Sequence, residues 1–210
     1  MRVNDLIHCD DFPCTDVRHA GYWMPEVELD VERMRIILIS EAAAADPADN
    51  YYAQESPLFA QTTLLAFADA GLPARDLQEL LARGVYFTTA VKCAKTGYGI
   101  QGGTVAACSR LLEAELALFP NTQVLLLMGD VAIQAVNAIA RRQGLKRVIP
   151  AGSTYKLRAA EYFFQGMRVF PSYLQAGPSF FIEKSKRRTI AEDIAAALAI
   201  IGVQQPGRDG

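Results

Sequence analysis

The chain has 210 residues, 51% of them hydrophobic, and a formal net charge of −2 at pH 7. That is enough chain and enough apolar surface for one well-buried domain over residues 1–210, and no apolar run approaches the roughly 18 residues of a membrane span. A pI near 5.7 lacks the basic surplus of a non-specific nucleic-acid binder, so any DNA contact has to come from a local patch.

The N-terminal segment, residues 1–30, is polar and carries Asp5, Asp10 and Asp11. It does not read as a signal peptide, and the expectation is a cytoplasmic monomer. Cys9 and Cys14 lie within it. Met34 to Ile39 is a short, almost wholly apolar run, as a strand buried on both faces should be. Ser56 and Pro57 open a helical pattern that Gly71 and Pro73 stop, and Asp76 to Ala82 reads as a short helix ended by Gly84. Val85 to Val91 is the second strand, Thr104 to Leu118 the next helix, and Gln123 to Met128 the third strand. Gly129-Asp130 leads into a helix from Val131 to about Arg142. Lys156 to Arg158, Tyr162 to Gln165 and Met167 to Phe170 are shorter strand candidates. Thr189 to Ile201 is a closing helix, and residues 203–210 read as a flexible tail. Alternating strands and helices with short turns predict a parallel sheet with helices on both faces, its ligand site beyond the carboxyl ends of the strands.

Four cysteines, Cys9, Cys14, Cys93 and Cys108, fall as two pairs around that core. Disulfides would need an oxidising compartment. Four independent buried thiols would suit Cys108, but not Cys9 and Cys14 with their little apolar cover. Four thiolates also make the full ligand set of a tetrahedral zinc or a cubane iron–sulfur cluster, either of which would tie an otherwise loose N-terminal segment to the domain body. The Cys-x4-Cys pair is within the range of a zinc knuckle, whereas Cys93 and Cys108, with fourteen residues between them, are not a second one. Spacing leaves zinc and iron–sulfur both open.

Six motifs occur in one order: Ile36-Ile37-Leu38-Ile39-Ser40-Glu41, Ser56-Pro57-Leu58-Phe59, Val85 to Cys93, Cys108 with Leu111, Glu113 and Glu115, Val124 to Met128 with Gly129 and Ala132, and Phe170-Pro171-Ser172-Tyr173. Together, over about residues 5 to 200, they resemble the uracil-DNA glycosylase superfamily, most closely its iron–sulfur, thermophile-type class. The resemblance implies a three-layer α/β/α sandwich around a central four-stranded parallel sheet. It implies a [4Fe-4S] cluster on Cys9, Cys14, Cys93 and Cys108, although that class usually has a tighter Cys-x2-Cys pair. It implies hydrolysis of the N-glycosidic bond of a damaged or modified base in DNA, single-stranded or lesion-containing.

Departures from the family pattern bear on the chemistry. The first loop, Gly-Glu-x-Pro-Gly in the family, is Ser40-Glu41-Ala42-Ala43-Ala44 here, so the carboxylate of Glu41 remains as the catalytic candidate. Asp46 and Asp49 are rival carboxylates. A flipped base needs an aromatic face, for which Tyr51, Tyr52 and Phe59 are candidates. The asparagine that reads uracil is replaced by Thr89, a shorter arm with one oxygen. The histidine that stabilises the departing base is absent: the chain continues Tyr173-Leu174-Gln175, and Gln175 is the neutral donor nearest that place. His8 and His19, the only histidines, lie near the cysteine segment. Lys184, Lys186, Arg187 and Arg188 are candidate phosphate contacts beside a wedge loop, Gln175 to Phe181, with Pro178 and Phe180 as wedges; Lys92, Lys95 and Lys156 add to that face. The altered polar positions also leave a non-catalytic nucleic-acid or nucleotide binder as an alternative function.

Overall fold

In the computed structural model, residues 1–203 are described. Of the expected tail, 203–210, all but Val203 lies outside them. Among the described residues six strands form one sheet: β1 (Val17–Arg18), β2 (Ile36–Ala43), β3 (Val85–Lys95), β4 (Val124–Met128), β5 (Tyr162–Phe164) and β6 (Met167–Ser172), in the order β1-β3-β2-β4-β6-β5. The four central strands are parallel, as the sequence predicts; β1 and β5 are short antiparallel edges that the sequence reading does not pair.

Seven α-helices of the described residues accompany the sheet: α1 (Leu58–Asp69), α2 (Leu77–Ala82), α3 (Gly102–Leu116), α4 (Asp130–Arg142), α5 (Thr154–Leu157), α6 (Ser179–Ile182) and α7 (Lys184–Ile200). Successive strand residues point to opposite faces, which is why the apolar runs are continuous. Ile36, Leu38, Phe87 and Leu126 pack with Phe67 of α1 and Ile190 and Ile194 of α7. Ile37, Ile39, Tyr86 and Leu127 pack with Leu112 of α3 and Val136 of α4. The result is a three-layer α/β/α sandwich.

Three expectations are corrected. Lys156 belongs to the helical turn α5, not to a strand. The closing helix begins at Lys184, five residues before Thr189, because ion pairs and not apolar spacing hold its first turn. The N-terminal segment is far from loose: Val3, Ile7, Met24, Val27 and Leu29 are buried, Met1 and Leu29 exchange backbone hydrogen bonds, and Trp23 N–H donates to the Lys92 carbonyl at 2.7 Å. Gly21 lies so close to β3 that a Cβ there would stand 3.0 Å from that of Ala94.

Among the parallel strands the chain moves from β2 outward to β3, then crosses back over β2 to β4. The strand order therefore reverses between β2 and β4, and the crevice beyond their carboxyl ends is the topological switch point of the sheet.

Candidate active site

Glu41 stands at that switch point. It belongs to β2 itself, which runs four residues beyond the expected Ile39, so its carboxylate is carried on a strand and not on a loop. The side chain lies against Gly129, the residue between β4 and α4, whose φ is +100°. A Cβ on Gly129 would come within 2.5 Å of Glu41 Oε1, so glycine is needed there both for the backbone turn and for the space.

A cavity of about 290 Å³ opens beside Glu41. Ala42 to Ala45 form its floor, Leu58 and Phe59 one wall, and Leu174 with residues 176–179 the rim; Asp49 and Lys95 complete the lining. Lys95 Nζ lies 3.9 Å from Glu41 Oε2. Asp49 Oδ1 accepts the Leu58 N–H at the start of α1, and Asp46 accepts that of Ala48 in an exposed turn. Both rival carboxylates are thus engaged in shaping the loop, and only Asp49 lines the cavity.

The aromatic candidates divide. Phe59 lines the cavity. Tyr51 is buried beneath it, where its hydroxyl contacts Ser40 Oγ and accepts from Gln175 Nε2 at 2.7 Å. Gln175 is itself buried and also donates toward Thr63 and Ser40. Burial pushes the Tyr51 hydroxyl up to about 12, against those hydrogen bonds, so it remains a neutral phenol. Tyr52 exchanges hydrogen bonds with the backbone of Phe87. Thr89 is buried and gives its hydroxyl to the Val91 carbonyl. Tyr51, Tyr52, Thr89 and Gln175 do not line this cavity, and each polar group already has an internal partner.

The expectation for Lys92 as a phosphate contact is corrected. It is fully buried, with Nζ 2.5 Å from Glu115 Oε2 and 2.7 Å from both Thr88 Oγ1 and the Thr89 carbonyl, so it faces no phosphate. Tyr86 and Thr88 donate to the other Glu115 oxygen. Strand alternation puts Lys92 on the same face as Tyr86 and Thr88, toward Glu115 of α3; a bulge follows, since Ala42 pairs with Val91 but Ala43 with Ala94, and it leaves Lys92 and Cys93 without a partner on β2.

At the head of α7, Arg187 is fork-bonded to Asp69 of α1, and Lys186 pairs with Glu183. Arg188 lies 3.8 Å from Glu192, and Lys184 is exposed. Of the wedge candidates Phe180 is a core residue, whereas its neighbours Phe181 and Ile182 are exposed.

The four cysteines line one cavity of about 380 Å³, together with His8 and His19. Cys9 and Cys14 sit on a loop turned by Phe12 (φ +40°), whose ring packs on His19 and Tyr22. Cys93 comes from the bulge of β3 and Cys108 from α3, where its Sγ accepts the Lys92 N–H at 3.2 Å. Asp16 fastens the loop to the start of α3 through Gln101 N–H at 2.6 Å and the Thr104 hydroxyl. Burial pushes the Cys93 thiol up to about 12 and those of Cys14 and Cys108 upward, and the neighbouring sulfurs add to each shift. Among the described residues no three His, Cys, Asp or Glu groups are close enough to hold a single metal ion. Four soft sulfurs nevertheless line one cavity, which also carries a backbone N–H donor, a lining chemically compatible with a thiolate-held centre.

The profile of the uracil DNA glycosylase superfamily matches residues 28–198, most of the chain. The chain belongs to the uracil DNA glycosylase superfamily. The superfamily match takes in Glu41, Cys93, Cys108 and the rim of the switch-point cavity, while Cys9 and Cys14 precede it. A type-5 uracil-DNA glycosylase of Thermus thermophilus is 29% identical over 106 residues, which are 50% of this chain and 47% of the relative. The match thus spans about half the length of that superfamily member.

Of the residues the sequence singles out, Glu41, Asp49, Phe59 and Lys95 line the switch-point cavity and the four cysteines line the other, while Asp16, which ties the cysteine loop to α3, carries no sequence signal. The place of Lys95 in the pocket was hidden because β3 continues past its bulge, which no apolar period reveals.

Proposed function

We propose that this chain is a DNA glycosylase that flips a damaged or modified base out of DNA and hydrolyses its N-glycosidic bond. The observation that carries the reading is the Glu41 carboxylate at the sheet's switch point, in a cavity walled by Phe59, within the span of the superfamily match. Hydrolysis needs a group that orients water and stabilises the oxocarbenium-like sugar as the base leaves, and a carboxylate held against Gly129 has that chemistry. Phe59 offers the flipped base a ring face.

Lys184, Lys186 and Arg188 are the proposed phosphate contacts. Four cations in and beside the first turn of a 17-residue helix conflict with the helix dipole, a local cost that fits a surface selected for anions. Arg187 serves a different end, anchoring α7 to α1 through Asp69. The exposed Phe181 and Ile182, adjoining the rim, are the proposed wedge into the base stack.

Cys9, Cys14, Cys93 and Cys108 are proposed to hold a [4Fe-4S] cluster. What supports the reading is that all four sulfurs line one cavity. In a cubane each thiolate attaches to a different iron, and a tetrahedral zinc is the alternative centre for the same four ligands. Such a cluster supplies four covalent ties between the N-terminal loop, β3 and α3.

The test is a panel of end-labelled oligonucleotides, single-stranded and duplex, carrying uracil, hypoxanthine, xanthine or bulky modified pyrimidines. Each is incubated with the protein and then cleaved at abasic sites. Strand cleavage at one or more lesions is the expected result. No cleavage on any member by protein with its metal intact would overturn the glycosylase reading in favour of a binding protein.

A further inference from the structure

We infer that Lys95 is the catalytic group that takes up the negative charge of the departing base, in a pocket whose apolar rim residue Leu174 cannot. This rests on the glycosylase reading and names how that site handles its leaving group.

Among the described residues the cavity lining holds two carboxylates, Glu41 and Asp49, one hydroxyl, Ser179, and a single cation, Lys95. The neutral donors that the sequence offers are spent elsewhere. The Gln175 amide is committed to Tyr51 and its neighbours below the floor, and the Thr89 hydroxyl to a backbone carbonyl. Lys95 is placed differently. It ends β3, where β1 fixes its backbone by pairing with Val17, and its side chain remains 40% exposed on the cavity wall. Its ion pair with Glu41 is long, at 3.9 Å, and an ammonium has three donors, so others remain for a ligand.

Charge order supports the assignment. When the C1′–N bond breaks, its electron pair leaves with the base, which becomes an anion, and C1′ becomes an oxocarbenium-like cation. A carboxylate held against Gly129, with an ammonium 3.9 Å away, presents the opposite sign to each end of that developing dipole. Glu41 faces the sugar and Lys95 the base. Water then bonds to C1′ and gives one proton to Glu41, and the base anion, hydrogen-bonded to Lys95 Nζ, is protonated from solvent. Removing one preorganised charge-stabilising donor commonly costs about 10²–10³ in rate.

The test compares single-turnover release of two bases of different N–H acidity: uracil and 5-fluorouracil, or hypoxanthine and xanthine if purines are the ones released. Lys95→Ala should slow the poorer leaving group by about 10² and the more acidic base distinctly less, steepening the dependence on leaving-group acidity. Lys95→Arg should recover part of the loss. Lys95→Met, which keeps the stem, controls for folding and should behave as Lys95→Ala does. A fall of equal size for both bases, or no fall, would overturn the inference while wild-type release stands. Wild-type protein that releases neither base, nor any other on the lesion panel, would overturn the glycosylase reading, and this inference with it.

Discussion

At the scale of single residues, the site depends on Gly129 as much as on Glu41. Gly129→Ala should cost about 1–2 kcal/mol through its positive φ and displace the carboxylate by steric contact. The expected readout is a lowered melting temperature together with slower base release, whereas a stability loss with wild-type release would separate Gly129 from the chemistry. Gln175→Ala should leave the Tyr51 hydroxyl, Ser40 and Thr63 short of a buried partner, at a cost of about 1–3 kcal/mol by denaturant unfolding. Glu41 was legible because it directly follows an apolar run. That Tyr51, Thr89 and Gln175 turn inward was not, since a hydroxyl or an amide has the same letter whether it meets a base or a carbonyl.

At the scale of elements, the cysteine loop and the pocket are joined through β1. Val17 pairs with Lys95, and the neighbouring Arg18 donates to the carbonyl of Ala45 on the cavity floor. With the proposed cluster on the four cysteines, protein purified without oxygen should be brown and carry about four iron per chain. Cys14→Ser should lower iron content and base release together, and a colourless, fully active variant would show that β1 holds its place unaided. Beneath the same loop, α3 carries Cys108 and, two turns on, Glu115, which closes the buried pair with Lys92. Glu115→Leu would strand a buried ammonium and should cost about 3–5 kcal/mol, most of it recovered in the double variant with Lys92→Met. The helices and central strands were readable because their apolar periods are long. The two-residue β1 and the bulge at Lys92-Cys93 were not, because pairing with distant chain creates them.

At the scale of the whole molecule, a mildly acidic chain with the proposed glycosylase function would have to concentrate its affinity for DNA in a local patch. The head of α7 offers Lys184, Lys186 and Arg188 for that purpose. Replacing Lys184 and Arg188 together by Ala should reduce the slope of log K against log salt on single strands by about 0.7 for each phosphate no longer neutralised. An unchanged slope would move the phosphate track elsewhere. The strand order that puts the crevice between β2 and β4 was foreseeable only as a rule of parallel sheets, while its occupants, Glu41 over Gly129, meet only in the folded chain. The proposed glycosylase chemistry requires that Glu41 drive base release. Single-turnover kinetics of Glu41→Gln against wild type, on the lesion the panel identifies, is the decisive comparison. Release should fall by about 10² or more while oligonucleotide binding persists; wild-type release by the variant would contradict the claim.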